Sequence, residues 1–262
     1  MNDIEYPSEI KAITDFIKDS FQKSGFTTAV LGLSGGVDSS VSFALTVQAL
    51  GKENVYPVLL PFSSLSTSGV LDAMDVITLL GIPLNHVTRI DIKSVVDAIA
   101  SRDPSVDRVR KGNIMARIRM TYLFDEAKRR RALVVGTENK TEHMLGYFTR
   151  FGDEGSDIEP IRHLYKTHVF ALAKTLGIPE KIITKPPSAD LWPEQTDEKE
   201  FGFTYQDADE ILYMLYEEKL PKEQIIAKGY SNAVIELVQK RVEQNIFKTE
   251  LPYFQTKKIP LE

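Results

Sequence analysis

Cysteine is absent from the 262 residues of the chain. That excludes disulfides, zinc-thiolate centres, a thiol nucleophile and sulfur transfer through a persulfide, and the simplest expectation is a cytoplasmic protein. Long apolar runs are missing too. No stretch approaches the roughly 18 apolar residues of a membrane span, and the opening MNDIEYPSEIKAITDFIKDS lacks a basic segment followed by an apolar one, so neither export nor membrane insertion is expected. Positive charge is not in excess. With a net charge of −5 and a pI near 5.6, the broad electropositive face that non-specific phosphate-backbone binding requires is not expected, and nucleic acid is not an expected partner. Histidine is scarce: His86, His143, His163 and His168 show no metal-ligand spacing and read as structural or surface residues. The single tryptophan, Trp192, lies between Pro187 and Pro193, where a loop anchor and a cover over a site are equally compatible.

What is present suffices for a core. Apolar residues make up 42% of the composition, and a chain of about 250 residues still fits one α/β domain, so a single domain over 1–262 is expected. Ile10, Ile13, Ile17 and Phe21 fall on one helical face behind a start signal at Ser8. Then strands and helices alternate. TTAVLGL is a short apolar run ending in glycine, followed by helical VSFALTVQAL; NVYPVLLP and PLNHVTRI read as further strands around the helix SGVLDAMDVITLLG; and ALVVG follows helical DIKSVVDAIAS and ARIRMTYLFDEAKRRR. The basic KRRR closes a helix, where cations meet the dipole favourably. Such alternation implies a doubly wound, mainly parallel α/β sheet of about five strands with helices on both faces and ligands beyond the carboxyl ends of the strands. From Thr137 to about Phe203 the pattern weakens into Gly, Pro and charge around a helical KTHVFALAKTLG, as functional segments often do. The tail from Gln206 is helical, with Ile211, Leu212, Leu215, Val234, Leu237, Val238 and Val242 as its apolar positions.

LGLSGGVDSS, from Leu31 to Ser40, is the most informative stretch. It fails the Walker A pattern because no lysine follows the glycines. What remains is a glycine-rich turn feeding a helix N-terminus, which favours an anion, with Asp38 placed to carry a cation. A metal-bound polyphosphate fits that combination; a tight connection capped by Ser34 is the plainer rival.

SGGVDSS resembles the signature of the PP-loop ATP pyrophosphatases, which split ATP between the α- and β-phosphates to adenylate a substrate. ARIRMTYLF, VVGTENKTEHMLGYFTRFGDEGSDIEPIRHLYKT and KPPSADLWPEQTDEKEFGFTYQDAD narrow the likeness, over most of the chain, to the ammonia-dependent NAD synthetases. The resemblance implies amidation of nicotinic acid adenine dinucleotide with ammonia through an acyl adenylate, releasing AMP and pyrophosphate. It implies Mg²⁺ on Asp38 and Glu142. It implies ATP on Gly32, Leu33, Ser34, Gly35, Gly36, Val37, Asp38, Ser39, Thr137, Lys166 and Ser188, with Asp38 and Lys166 in catalytic roles. Arg117, Arg150 and Asp157 are the implied contacts to the dinucleotide, and a symmetric homodimer is the implied assembly. Lys166 opens a helix, where a cation is locally unfavourable, and that misfit supports a phosphate partner. Asp157 has a turn-capping role as a rival. One departure stands out: the family's polar C-terminal contacts are replaced here by KTELPYFQTKK, with Leu251 and Pro252 in their place. Free ammonia is the implied nitrogen donor, since a glutamine-hydrolysing domain with its cysteine is absent from the sequence. Another PP-loop adenylating enzyme would bring a basic tract, and a non-enzymatic ATP sensor would need neither Glu142 nor Lys166.

Overall fold

A computed structural model describes residues 4–62, 67–189, 191–192 and 194–250. Helix α1 (Tyr6–Ser24) opens the chain two residues before the Ser8 signal, because Glu5 is the N-cap and accepts the Ser8 N–H at 3.0 Å. Pro7 falls in the first turn, where its missing N–H costs nothing. Ile10, Ile13, Ile17 and Phe21 are buried as their spacing predicts.

The elements that follow are β1 (Ala29–Gly32), α2 (Val37–Leu50), β2 (Val55–Leu59), α3 (Thr67–Leu79), β3 (Thr88–Arg89), α4 (Lys93–Ala100), α5 (Arg108–Arg130) and β4 (Leu133–Val135). Beyond them come α6 (Lys140–Leu145), α7 (Lys166–Thr175), α8 (Glu180–Ile183), α9 (Asp197–Phe201), α10 (Tyr205–Leu212), α11 (Lys222–Ala227) and α12 (Asn232–Thr249). The described strands form a four-stranded, all-parallel sheet in the order β3-β2-β1-β4, with Ala29 opposite both Val55 and Leu133. The doubly wound α/β reading therefore holds, with four strands instead of about five. Where a fifth would lie, Ile158 makes one isolated parallel bridge to Val135 and the chain turns away. PLNHVTRI yields only the two residues of β3, because Leu84–His86 closes into a single helical turn.

Side chains alternate across this sheet as a pleated strand requires. Ala29, Leu31, Val55, Leu59 and Val135 join the core under α1, α2, α3 and α7, whereas Val30, Val58 and Val134 join Ile92, Val96, Met115 and Ala127 under α4 and α5. Both faces are apolar, which is why the strands read as continuous runs. The fully buried Phe21, Ile17 and Leu31 each contribute about 1.5–3 kcal/mol through removal from water. Leu145, Tyr165, Ile211, Leu212, Ile235 and Val238 belong to another cluster built by α6 and α9 to α12.

Among the described residues the segment expected to be irregular contains four helices, not one. α6, α8 and α9 span only 6, 4 and 5 residues, too short to show a helical period. Leu237, expected among the tail's apolar positions, is 44% exposed. Leu251 and Pro252 lie outside the described residues, as do Pro193 and the rest of the divergent C-terminus.

Because the chain steps outward from β1 to β2 and β3 before returning to β4 beside β1, strand order reverses between β1 and β4. The carboxyl ends of those two strands are where an open α/β sheet makes its crevice.

Candidate active site

β1 delivers the chain to Gly32 at the carboxyl edge, and the next residues turn directly into α2. Gly35 takes a φ of +84°, and a Cβ added there would sit 2.2 Å from the Gly69 carbonyl oxygen; one added at Gly69 would sit 2.6 Å from Ser34 O. Loop and α3 therefore meet backbone to backbone, which only glycine allows. Ser34 does not cap the helix. Its hydroxyl accepts the N–H of Gly36, the N-cap itself, at 3.2 Å and lies 3.0 Å from Ser39 Oγ, and no side chain caps α2. The helix thus presents its first N–H groups and positive dipole end to the crevice, an arrangement suited to an anion.

Asp38, in the first turn of α2, receives Asn139 Nδ2 on one oxygen at 2.8 Å and Lys166 Nζ on the other at 2.6 Å. The same Lys166 ammonium lies 2.9 Å from Glu142 Oε1. Asn139 also N-caps α6 by accepting the Glu142 N–H at 3.0 Å, so one side chain orients both carboxylates. Lys166 is 2% exposed. Burial alone would lower its pKa, but Asp38 and then Glu142 outweigh that and hold it above the ordinary lysine value. Burial pushes the Glu142 carboxyl up, against the pull of Lys166.

The start of α7 is unfavourable for a cation, and the fold compensates. Asp209, buried on α10, accepts the Thr167 N–H at 2.8 Å and the Thr141 hydroxyl, while Thr141 Oγ1 accepts the Lys166 N–H at 2.9 Å. A carboxylate from a distant helix caps α7 and offsets the lysine's charge.

These groups open on a cavity of about 490 Å³, in the range of small-molecule sites. Gly32, Leu33, Ser34, Gly36, Val37, Asp38, Ser39, Thr137, Glu142, Lys166 and Ser188 all line it. Gly35 supports the loop from behind, against α3. Arg117, Arg150 and Asp157 do not reach the cavity. Arg117 is exposed on α5 and donates to Arg150 O at 3.3 Å; Arg150 donates to Glu250 O at 2.6 Å. Asp157 accepts the Val134 N–H of β4 at 2.7 Å, a long-range bond and not the turn cap weighed against ligand binding.

A description of the NAD synthase family matches residues 9–252. The chain belongs to the NAD synthase family. An NH3-dependent NAD+ synthetase from Chlorobium phaeobacteroides is 43% identical over 256 residues, covering 96% of this chain and 91% of that one. Among solved structures, the NMN synthetase of Francisella tularensis superposes with a TM-score of 0.84 at 32% identity, over 97% of this chain and all of that one. The NH3-dependent NAD synthetase of Campylobacter jejuni, solved with a nitrate ion, gives 0.81 at 31%, over 97% and 100%.

In this member of the NAD synthase family the cavity holds residues that sequence patterns did not single out. Asp197, at the start of α9, accepts the hydroxyls of Tyr147 at 3.0 Å and Tyr205 at 2.9 Å, and the Tyr205 hydroxyl also lies 3.4 Å from Glu142. Burial raises the Asp197 carboxyl despite Lys166 nearby. α12 adds Arg241, Asn245 and Lys248 to the wall. The signal for Asp197 was present in EQTDEKE as an acidic run, which reads as a solvated face until the fold buries it.

Proposed function

We propose that this chain joins ammonia to the carboxyl group of nicotinic acid adenine dinucleotide at the expense of ATP. Family membership supplies the reaction class, and one observation supports the assignment to this cavity: Asp38 and Glu142, from two different helices, converge on the Lys166 ammonium beside an uncapped glycine-loop helix.

Ammonia does not displace oxide from a carboxylate, so the acid must first be activated. Its carboxylate oxygen bonds to the α-phosphorus of ATP as the α–β anhydride breaks, releasing pyrophosphate. Ammonia then adds to the acyl carbon, AMP leaves with the oxygen, and the surplus proton passes to solvent. Charge gathers on the phosphate oxygens in the first step, where preorganised donors count most. The α2 N–H groups, Ser34 and Ser39 face the phosphates, and Lys166 donates to them. Gly32 through Ser39, with Gly35 behind the loop, Thr137 and Ser188 form the ATP-binding wall.

Asp38 and Glu142 suit Mg²⁺. They offer hard oxygen donors converging on a space that one cation already bridges at 2.6 and 2.9 Å. No group of three or more metal-ligating side chains occurs among the described residues, and two carboxylates fit an ion that keeps water and phosphate oxygens as its other ligands. When bound, Mg²⁺ neutralises phosphate charge and polarises the anhydride.

Arg117, exposed on α5, and the half-buried Arg150 stand outside the cavity; the symmetric homodimer, in which the dinucleotide reaches them, with Asp157, from the second subunit, rests on the family resemblance. A single domain over 1–262 and a cytoplasmic location complete the proposal; among the described residues no helix is long and apolar enough to cross a membrane.

The test is to supply ATP, Mg²⁺ and either nicotinic acid adenine dinucleotide or nicotinic acid mononucleotide, with ammonium or glutamine as nitrogen source. NAD, AMP and pyrophosphate from the dinucleotide with ammonium are the expected products. The mononucleotide is included because one structural neighbour is an NMN synthetase, and product from it alone would reassign the acceptor. No AMP from any combination would remove the adenylation.

A further inference from the structure

We infer that Arg241 and Lys248, two turns apart on α12, form a second anion subsite of the cavity that takes a carboxylate or phosphate group of the acid dinucleotide. The identity of that ligand rests on the proposed function; the subsite itself rests on what surrounds the two cations.

Both side chains line the cavity wall. Spacing of i and i+7 puts them on one helical face, with Asn245 between them packed against Gly146, whose missing Cβ makes the room. The cavity's other cations already have partners within the protein, and Lys166 is assigned to the ATP phosphates. Lys166 bridges Asp38 and Glu142, Lys185 lies 3.3 Å from Asp72, and Arg119 donates to Leu60 O. Among the described residues neither Arg241 nor Lys248 forms an ion pair. The Arg241 guanidinium stands over the rings of Phe201 and Tyr147, at 4.6 and 5.3 Å from their centroids, and its buried Nε has no hydrogen-bond partner among the described residues. The nearby carboxylates are satisfied elsewhere: Asp197 holds the two tyrosine hydroxyls, and Glu200 accepts Gln195 Nε2 at 2.8 Å. Lys248 donates to the carbonyls of Gly146 and Phe148 at 2.7 and 3.0 Å, which uses two of its three N–H bonds and fixes the ammonium beside the cavity.

Two half-buried cations with no direct ion pair, only Asp197 and Glu200 in the neighbourhood of Arg241 and Asp153 and Glu154 in that of Lys248, are costly to keep. Burial lowers the pKa of both, and Arg241 lowers Lys248 further. An incoming anion relieves that cost. Contact with the two rings restrains the guanidinium at the cavity wall, and its planar fork can make two parallel bonds to a carboxylate or phosphate. The triphosphate of ATP has its own partners at α2 and Lys166, so the anion left for α12 belongs to the other substrate.

Titration calorimetry with nicotinic acid adenine dinucleotide, NAD and ATP tests this on the full chain and its Arg241→Met variant, which keeps an apolar stem over the two rings. The variant is expected to weaken acid-dinucleotide binding by about ten- to a hundredfold, the range for a lost charge-assisted bond, with ATP affinity within about twofold. A loss shared by NAD assigns the subsite to the diphosphate; a loss confined to the acid assigns it to the nicotinate carboxylate. Unchanged acid-dinucleotide affinity, or an equal loss for ATP, overturns the subsite. If Arg241→Met does not fold, Lys248→Met carries the same comparison with the same outcomes. Wild-type protein that binds ATP but no acid dinucleotide would instead overturn the proposed function, and the subsite with it.

Discussion

Lys166 Nζ and Asp38 Oδ2 stand 2.6 Å apart across 128 residues of chain, joining the first turn of α7 to the first turn of α2. Two helix N-termini thereby face one crevice, and the lysine's charge is balanced before any ligand arrives. Charge balance here is also structural balance.

Lys166→Met should therefore do more than abolish catalysis. It leaves Asp38 and Glu142 facing each other without a cation, and breaking a buried pair from one side costs about 3–5 kcal/mol. Melting temperature should fall in metal-free buffer and recover in part with millimolar Mg²⁺, while AMP formation stays at least about a hundredfold below wild type with metal present. Equal melting of variant and wild type without metal would contradict the pairing.

Asp209→Asn tests the cap on α7. The amide keeps an acceptor but loses the charge that offsets Lys166, so stability should drop by about 1 kcal/mol, the usual worth of a helix cap. Since Lys166 is set by that turn, kcat should fall further than ATP affinity does. Steady-state kinetics beside a urea melt would separate the two.

Gly35→Ala combines a φ of +84° with a Cβ 2.2 Å from Gly69 O, a backbone atom that cannot yield as the end of a flexible side chain can. Strain of about 1–3 kcal/mol and a displaced loop are expected. ATP binding measured by calorimetry should be lost; wild-type affinity would mean the loop is free to move.

Glu159 supplies a pH signature. Burial pushes its carboxyl up to about 7, against Ser156 and Arg162, which pull it down. The unfolded chain releases this proton near 4.5, so between roughly pH 4.5 and 7 the folded protein holds a proton the unfolded chain has lost. Stability from this group therefore falls as pH rises through that window, by at most about 3 kcal/mol. Glu159→Gln removes the titration, so its urea midpoint relative to wild type should be higher at pH 8 than at pH 5. Parallel curves would show that Glu159 titrates normally.

How much of this was legible follows from which interactions are local. Glycine, serine and Asp38 in one loop, and the apolar runs behind it, announced β1, α2 and an anion site because a strand-turn-helix is written in consecutive residues. Glu142 and Lys166 became readable through resemblance, since nothing in their own neighbourhoods says that they meet, whereas Asn139, which orients both carboxylates, was not singled out. Asp197, Asp209 and Arg241 were not readable. Each is a charge on an amphipathic or acidic stretch whose ordinary fate is solvent, and only the packing of α9, α10 and α12 against α6 and α7 buries them. The two-residue β3 was misjudged for a related reason: apolar β-formers mark where a strand fits, while pairing length depends on where the neighbouring chain turns aside.

The parallel sheet also divides the surface into two unequal territories. Every described site residue hangs from connections that leave the carboxyl ends of strands, whereas Gly51 to Asn54, exposed ahead of β2, belongs to the opposite rim. Lengthening a loop on that rim costs only closure entropy, about 0.6 kcal/mol per doubling. A fluorescent tag or an entire added module spliced between Gly51 and Asn54 would hang from the back of the molecule and leave the crevice undisturbed, so this lineage can acquire attachments without renegotiating its chemistry.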